Sequence, residues 1–555
     1  MTATTGYLPL CSSDAYRIQE AQVALKYGSN FYVDKYNDAS AGWTMIAAIL
    51  IFFMKAGFLF VETTFLSEES HRGRVIISKY LDTCSSAIAF WLFGFAFAIG
   101  LNPAVLGESR DYILWFFRFT FASNTATIIG GTLIGARRKM KLIAVLVYSF
   151  MISSIIHPAV AYQIWSNDGG LSPFKFCNGT IGSVVNGTVR LEHILTERPS
   201  SWFVLDFAGS GAVHLLGGMG GLLLTLFYKF EQWWDKRQKE GNKKMASPST
   251  ETDSSRSMES SEDPKPKKGF IDWMYHVECE IVEYAALGVL ILWTTWFAFN
   301  CGSTESISGG SSGLHSFKIY HAVVGRIALN MVVCAGSGGL LAIGIAGFVQ
   351  AIKKTDRINT NEVANGILSC LVAITGCCAF VTPHAAFGIG LFAIFFYHLG
   401  CYIEFILDLE DTARVVPVHA WSGMLGLLAS SLADNNYLRE VYENVCYCQN
   451  LNLSDFGISF GLLLRNQLVG MLLIIVWSCV TIAPLFFLLS VIRSNNISKL
   501  LRKKPFPTNH LMWRLFGGGA LLTLSYDAKA MEMDDMGDIG DTDDMDNSTM
   551  AKNNN

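Results

Sequence analysis

The chain has 555 residues, of which 51% are hydrophobic and 16% charged, with a net charge of −4 and a mean hydropathy of +0.34. Because soluble domains carry about 25% charged residues, this composition excludes an ordinary soluble protein and indicates many membrane spans. The small net charge gives no reason to expect nucleic-acid binding. The 13 cysteines lack paired CxxC spacing, so neither a zinc site nor a disulfide scaffold is expected.

Apolar runs of about 20 residues, long enough to cross a hydrocarbon core of ~30 Å, recur along the chain. About eleven are predicted as transmembrane helices, at residues 42–66, 80–101, 112–136, 142–165, 203–227, 281–300, 319–348, 363–381, 385–407, 415–432 and 467–491. The predicted fold class is therefore an all-α polytopic membrane protein, with a transmembrane domain over residues 42–491.

The charges of the loops predict the orientation. Clusters of Lys and Arg follow the first, third, fifth, seventh and last predicted spans, at residues 72–79, 137–141, 236–244, 353–357 and 493–504. Such clusters mark the cytoplasmic side, so the N-terminal segment 1–41 is predicted outside and the tail 492–555 inside. The opposite loops are poor in basic residues and contain three predicted glycosylation sequons, at Asn178, Asn186 and Asn452. The N-terminus does not have the pattern of a cleaved signal peptide.

Two polar segments are expected outside the membrane. The cytoplasmic loop 228–270 contains a stretch rich in Ser, Thr, Glu and Pro, and the tail is strongly acidic from about residue 531. Both are predicted to be disordered, and solvated linkers without a specific partner are the simplest interpretation. Cys177, Cys446 and Cys448 lie in predicted extracellular loops. Disulfides can form there, but their pairing stays open.

Two matching stretches each place a histidine inside a predicted span, in Asp206-Phe-Ala-Gly-Ser-Gly-Ala-Val-His214 and in Val418-His419. Each histidine follows Val and precedes Gly at +4, Met at +5, Gly at +7, and Leu at +8 and +9. An intramembrane ionisable residue indicates a functional site by default, and the match indicates an internal duplication. The prediction is an inverted 5+5 repeat plus one C-terminal helix. The histidines then lie on the fifth helix of each half and face each other near the midplane.

Three interpretations of this histidine pair are open at the level of the sequence. Each ring could be bonded only to its neighbouring backbone or hydroxyl groups. Alternatively, because a neutral imidazole donates from one nitrogen and accepts at the other, a facing pair could bind a neutral ligand or pass a proton. Two histidines on separate helices could also ligate a b-type haem in a membrane redox protein.

These stretches, together with Trp296-Phe-Ala-Phe299-Asn300-Cys-Gly-Ser303, resemble the ammonium transporters of the Amt/Mep branch of the Amt/Mep/Rh family. The resemblance covers most of residues 42–491. It implies a homotrimer in the plasma membrane, with a narrow apolar pore in each subunit that passes NH₃, with or without a proton relay. It also implies a transporter rather than an enzyme, without cofactor or metal, whose partners are ammonium or ammonia and the lipid bilayer.

The resemblance assigns roles to residues of this chain. The residues expected to recruit ammonium at the outer mouth are Trp165, Phe121, Ser303 and Asp206. Trp165 would act through its π face, Ser303 as a hydroxyl acceptor and Asp206 by organising the local backbone. The expected gate residues are Phe121, Phe299, Phe117 and Trp296, and the expected pore residues are His214 and His419. Aromatic faces hold a cation with about 0.5–2 kcal/mol each, whereas a dry apolar pore penalises an ion such as K⁺ that cannot lose its charge.

Three basic residues depart from the pattern of the family. Arg118 lies beside the expected gate and Lys55 in the first span, both where relatives usually have neutral residues, and Arg414 replaces an acidic one. A fixed charge near the mouth would repel ammonium by roughly 1–4 kcal/mol at 4 Å. Lys55 and Arg118 could instead snorkel or pair with a carboxylate such as Glu62. If they do not, a non-conducting ammonium sensor is the alternative function.

Overall fold

The computed structural model describes residues 38–66, 69–99, 109–132, 142–166, 169–173, 181–185, 188–192, 202–246, 269–275, 281–307, 314–446 and 458–494. The described residues from 38 to 489 belong to one compact unit. Of the second unit, residues 490–555, only Ser490–Ser494 are described. The three sequons at Asn178, Asn186 and Asn452, the residues Cys177 and Cys448, and the acidic tail lie outside the described residues.

The first half of the chain is built from helices that are interrupted by single π-helical turns. Its α-helices are α1 Asp38–Thr63, α2 Glu69–Ala89, α3 Phe95–Ile99, α4 Ser109–Gly131, α5 Leu142–Met151, α6 His157–Trp165 and α7 Leu216–Ala246. Its π-helical turns are π1 Phe90–Gly94, π2 Ile152–Ile156 and π3 Ser210–Leu215. A two-stranded antiparallel hairpin, β1 Ile181–Val185 and β2 Thr188–Glu192, lies between α6 and π3. Residues 228–246 of the segment predicted as a disordered loop are helical instead, because α7 continues to Ala246.

The second half is also helical and, in its described part, contains one π-helical turn. Its elements are α8 Phe270–Met274, α9 Val282–Gly302, α10 Leu314–Lys353, α11 Thr360–Thr375, α12 Pro383–Leu407, the π-helical turn π4 Val416–Trp421, α13 Ser422–Ala429, the 3₁₀ turn Ser430–Leu432, α14 Asn435–Cys446 and α15 Phe460–Ser494. Helix α12 begins at a proline whose preceding Thr382 Oγ accepts a bond from the Ala385 N–H at 3.3 Å, a favourable N-cap. Helix α12 ends at Leu407 and is followed by its C-cap residue Asp408, which has a φ of 47°.

Eight of the described helices are long and apolar enough to cross a membrane, which confirms the predicted class of helical membrane protein. Three predicted spans fall on helices outside this group: α4, α11, which has 16 residues, and π4 with α13. All three carry residues of the site described below. The count of eleven spans and the orientation of the chain stay predictions.

The helices that begin the two predicted halves, α1 and α9, pack against each other. A Cβ added at Gly57 would lie 3.1 Å from the Gly288 carbonyl oxygen, and one at Gly288 would lie 2.9 Å from the Gly57 carbonyl oxygen. These reciprocal contacts are the kind of close helix approach that small residues permit in membranes. Large apolar side chains such as Leu340, Phe348 and Val480 lie exposed on the outside of the bundle, as a lipid-facing surface requires.

Candidate functional site

The two histidines found in the matching stretches meet in the centre of the fold. His214 is 1% exposed and His419 5% exposed. Their Nδ1 atoms lie 3.1 Å apart, and their rings are nearly parallel, with centroids separated by 5.3 Å. A hydrogen bond between two Nδ1 atoms requires one ring to donate and the other to accept. In the neutral pair, one Nε2 is therefore an acceptor and the other a donor. His214 Nε2 has no hydrogen-bond partner within the described part of the chain.

Each histidine lies in a π-helical turn that follows a buried aspartate. His214 is in π3 and His419 is in π4, and such turns are frequent at functional sites because they redirect side chains. Asp206 precedes His214 by eight residues, as Asp411 precedes His419. Asp206 Oδ2 accepts the N–H of the residue five positions on, at 3.0 Å, and Asp411 Oδ2 does the same at 2.7 Å. The two halves therefore present their histidines through the same local structure.

Asp206 contacts the backbone through both of its carboxylate oxygens. Oδ1 accepts from the Gly209 N–H at 3.2 Å, while Oδ2 also accepts from the Ala212 N–H at 2.8 Å. Gly209 has a φ of 106°, and a Cβ there would lie 3.3 Å from the Trp165 ring. Only glycine accommodates both conditions without strain. Asp411 lies between two predicted spans, and burial raises the pKa of its carboxyl above the usual value for aspartate.

The glycine at +4 from each histidine packs against the opposite histidine segment. A Cβ added at Gly218 would lie 2.2 Å from the Ala420 nitrogen, and one at Gly423 would lie 2.7 Å from the Ser210 carbonyl oxygen. Both contacts are with backbone, which cannot rotate away. The repeated Gly at +4 is thus explained by the close approach that brings the two imidazoles together.

The predicted gate residues form one column of aromatic rings that ends at the histidines. Phe121 stacks on Phe299 with ring centroids 4.3 Å apart, and Phe117 lies 5.0 Å from Phe121. Trp296 stacks on His214 at 5.1 Å and donates from Nε1 to Thr375 Oγ1 at 2.8 Å. Since these rings are buried, the path past them toward the histidines is apolar.

The predicted recruitment residues surround the other end of this column. Trp165 meets Phe121 edge to face at 5.7 Å and donates from Nε1 to the Asp206 carbonyl oxygen at 2.7 Å. Ser303 Oγ donates to the Phe299 carbonyl oxygen at 2.8 Å. Because the Ser303 hydrogen is used within its own helix, the lone pairs of the hydroxyl oxygen are available to accept a bond from a ligand.

Arg118 lies beside these predicted recruitment residues and forms an ion pair. It forms an ion pair with Glu305, and its guanidinium carbon stands 5.6 Å from the centroid of the Trp165 ring. Cations attracted to an aromatic face lie within about 6 Å of the ring centroid. The guanidinium is therefore close enough to interact with the ring that is predicted to attract ammonium.

The other two unexpected basic residues are also paired within the fold. Lys55 Nζ lies 3.5 Å from Asp82 Oδ2. Arg414 Nη1 lies 3.4 Å from Glu404 Oε2, and its guanidinium carbon is 3.9 Å from the Trp273 ring centroid. Neither Lys55 nor Arg118 forms its ion pair with Glu62, the partner suggested by the sequence.

Several residues of the site were not found by sequence reasoning. Asp411 had a usable signal, since its spacing to His419 equals that of Asp206 to His214. Glu305 and Thr375 had none, because their contacts with Arg118 and Trp296 join positions far apart in the chain.

Comparison with known proteins decides the family. Residues 42–251 and 264–500 match the Ammonium Transporter Family. The chain belongs to this family. The ammonium transporter Amt2 of Archaeoglobus fulgidus is 27% identical over 475 residues, covering 82% of this chain and 83% of its own length. Ammonium transporter 1 member 3 of Solanum lycopersicum is 26% identical over 466 residues, covering 81% of this chain and 87% of its own length.

Solved structures show the same fold for this member of the ammonium transporter family. A structure titled Sensor Amt Protein aligns with a TM-score of 0.57 and 24% identity, over 82% of this chain and 94% of that one. Mep2 of Saccharomyces cerevisiae aligns with a TM-score of 0.56 and 17% identity, over 84% and 87%.

These findings confirm the predicted family, a multi-pass membrane protein and a transporter rather than an enzyme. The haem alternative does not fit the geometry. With the two Nδ1 atoms 3.1 Å apart, the rings already contact each other and leave no room for an iron and its macrocycle between them. The trimer, the plasma membrane and the roles of the individual site residues stay predictions.

Proposed function

We propose that this protein carries ammonium by recruiting NH₄⁺ at Trp165, Phe121 and Ser303, where the cation gives up a proton to water, and by passing NH₃ between the gate phenylalanines to the histidine pair, with or without a relay of the proton through that pair. The observation that carries the proposal is the buried contact of His214 with His419, where the His214 ring stacks on Trp296 and lies 5.7 Å from the Phe299 ring. Asp206 is proposed to hold the backbone at the mouth rather than to contact the substrate, because its carboxylate bonds to three N–H groups.

Physical chemistry explains why this arrangement favours ammonium over other monovalent cations. Moving a bare ion into a buried apolar path costs far more than moving a neutral molecule of the same size. K⁺ cannot lose its charge, whereas NH₄⁺ becomes neutral by giving up one proton. Ammonia then finds, at the paired imidazoles, one nitrogen that accepts and one N–H that donates, which replace bonds lost on leaving water.

The proposal is tested with purified protein in liposomes under a controlled membrane potential. We expect an ammonium-dependent current or a change in internal pH. Replacing both histidines with alanine should lower the rate by at least about tenfold, since hydrogen bonds worth about 1–2 kcal/mol are lost in a buried path, or should admit K⁺. His384→Ala, an exposed histidine on α12, is the matched control and should behave as the wild type. Absence of any ammonium-dependent signal from the wild type would refute the proposal.

A non-conducting ammonium sensor is the second candidate, favoured by the guanidinium of Arg118 over the Trp165 ring. In the same liposomes, Arg118→Gln separates the two functions. If the wild type is inert and the variant conducts, the sensor is correct. If the wild type conducts and the variant needs less ammonium to reach half its maximal rate, the protein is a transporter whose own arginine competes with the substrate.

The assembly and location of the protein belong to the same proposal. We expect a homotrimer in the plasma membrane with the N-terminus outside. Support comes from the family membership and from the positions of the basic loop clusters.

A further inference from the structure

A cavity adjoins the histidine pair on the side away from the phenylalanine gate. It is lined mainly by apolar side chains, with three polar residues, Glu62, Asn365 and His419. Gly131 also lines it and follows the gate residue Phe121 by ten residues on α4, a distance of about 15 Å along a helix. In the predicted orientation, this inner cavity lies on the cytoplasmic side of the pair.

Glu62 is the one acidic residue that lines the inner cavity, and its carboxylate is only half used. The residue is 3% exposed. Its Oε1 atom accepts a bond from Lys79 Nζ at 2.5 Å, whereas Oε2 is buried without a hydrogen-bond partner among the residues that the structure describes. A buried carboxylate oxygen without a donor is costly, so this position calls for a ligand that carries N–H or O–H groups.

A second ion pair stabilises the first without reaching the inner cavity. Lys79 Nζ also donates to the Thr127 carbonyl oxygen at 3.1 Å, and Lys55 Nζ donates to the hydroxyl of the same threonine at 2.6 Å. That hydroxyl in turn donates to Asp82 Oδ2 at 2.6 Å. Lys55 and Asp82 do not line the cavity. The pair Lys55–Asp82 therefore provides a matched control for the pair Lys79–Glu62.

We propose that Glu62 forms an inner binding site for ammonium, in which one N–H of the cation donates to the free carboxylate oxygen beside His419. This inference rests on the proposed function, because the cation would be present there only after ammonia has passed the histidines and regained a proton, either one relayed through the histidine pair or one taken from cytoplasmic water. The bound cation shares its carboxylate with the Lys79 ammonium group, which weakens the site. A weak site suits the release of ammonium into the cytoplasm.

The experiment measures ammonium transport, as current and as the accompanying change in internal pH, with the concentration varied separately on the two faces of the membrane, in whole-cell recordings with exchange of bath and pipette solutions. The test variant is Glu62→Gln with Lys79→Met, which removes carboxylate and cation together and so leaves no unpaired buried charge. We expect the half-saturating ammonium concentration to rise about tenfold on the cytoplasmic face and to stay unchanged on the other face. Lys79→Met alone should lower the half-saturating concentration on the cytoplasmic face, because the Glu62 carboxylate is then no longer shared with the Lys79 ammonium group.

The control variant, Lys55→Met with Asp82→Asn, should change the half-saturating ammonium concentration by the same factor on both faces, if it changes it at all. If the Glu62–Lys79 pair is only structural, its neutral replacement will behave as the control does, and the inner site is refuted. Equal changes on both faces would refute it as well.

A second measurement separates failure of the inner site from failure of the transport proposal. If the wild type shows neither current nor pH change, ammonium chloride is compared with sodium chloride at equal ionic strength for its effect on the melting temperature of each purified protein. The inner site predicts a smaller ammonium-specific shift in the Glu62→Gln, Lys79→Met variant than in the control variant. An equal shift in the two would overturn it.

Discussion

At the scale of single residues, the predicted mouth of the pathway contains one ion pair that relatives are not expected to share. Arg118 alone would place a full positive charge beside the recruitment residues. Glu305 cancels most of that charge, because the two side chains are in direct contact. Glu305 has a φ of 52° and donates its N–H to the Gly302 carbonyl oxygen at 2.8 Å. The carboxylate is thus presented from a constrained turn directly after Ser303.

This pairing predicts opposite effects for its two members. Glu305→Gln leaves Arg118 unneutralised at the mouth, so the half-saturating concentration of external ammonium should rise several-fold, by roughly 1 kcal/mol of added repulsion. The effect should weaken at high ionic strength, because both groups are partly exposed and salt screens them. Flux assays at low and high salt measure both quantities.

The double variant Arg118→Gln, Glu305→Gln is the control for this series. It removes both charges and should transport much as Arg118→Gln does. If Glu305→Gln alone changes nothing, the arginine does not act on the substrate through its charge.

At the scale of secondary-structure elements, the histidine pair depends on how closely π3 and α7 approach π4 and α13. The approach is limited by backbone at Gly218 and Gly423. A methyl group at either position would push the two segments apart and lengthen the Nδ1–Nδ1 contact.

We therefore expect Gly218→Ala and Gly423→Ala each to destabilise the protein, by about 1–3 kcal/mol or more as overpacked cores do, and to lower ammonium flux. Gly344→Ala is the matched control, since a Cβ at this position of α10 meets nothing within 4 Å. It should be neutral or slightly stabilising, because alanine favours helix over glycine. The melting temperature and the liposome flux of each purified variant check the prediction. Normal behaviour of both test variants would contradict the packing argument.

At the scale of the whole molecule, the sequence predicted the features that depend on composition and periodicity. Long apolar runs predicted the lipid-crossing helices, and the matching contexts of His214 and His419 predicted that two distant segments meet. The ion pairs were not predictable, because Arg118–Glu305 and Lys55–Asp82 join residues on different helices and no local pattern encodes their distance. The π-helical turns were missed as well, since an extra residue in a helical turn leaves no distinct apolar period. Glu62 was noticed only as a possible partner for a lysine, because its position at a cavity is a property of the assembled bundle.

The contact between the two imidazoles has one further consequence. A single hydrogen is shared by two rings that the fold presents in equivalent ways, so the two halves of the protein cannot be equivalent at any one moment. The pair is a dipole with two orientations, and transferring one hydrogen between the Nδ1 atoms, which lie 3.1 Å apart, with compensating shifts at the Nε2 atoms, inverts it. A symmetric scaffold thereby holds an asymmetric and reversible polarity at its centre, and each orientation places the free Nε2 donor on a different histidine.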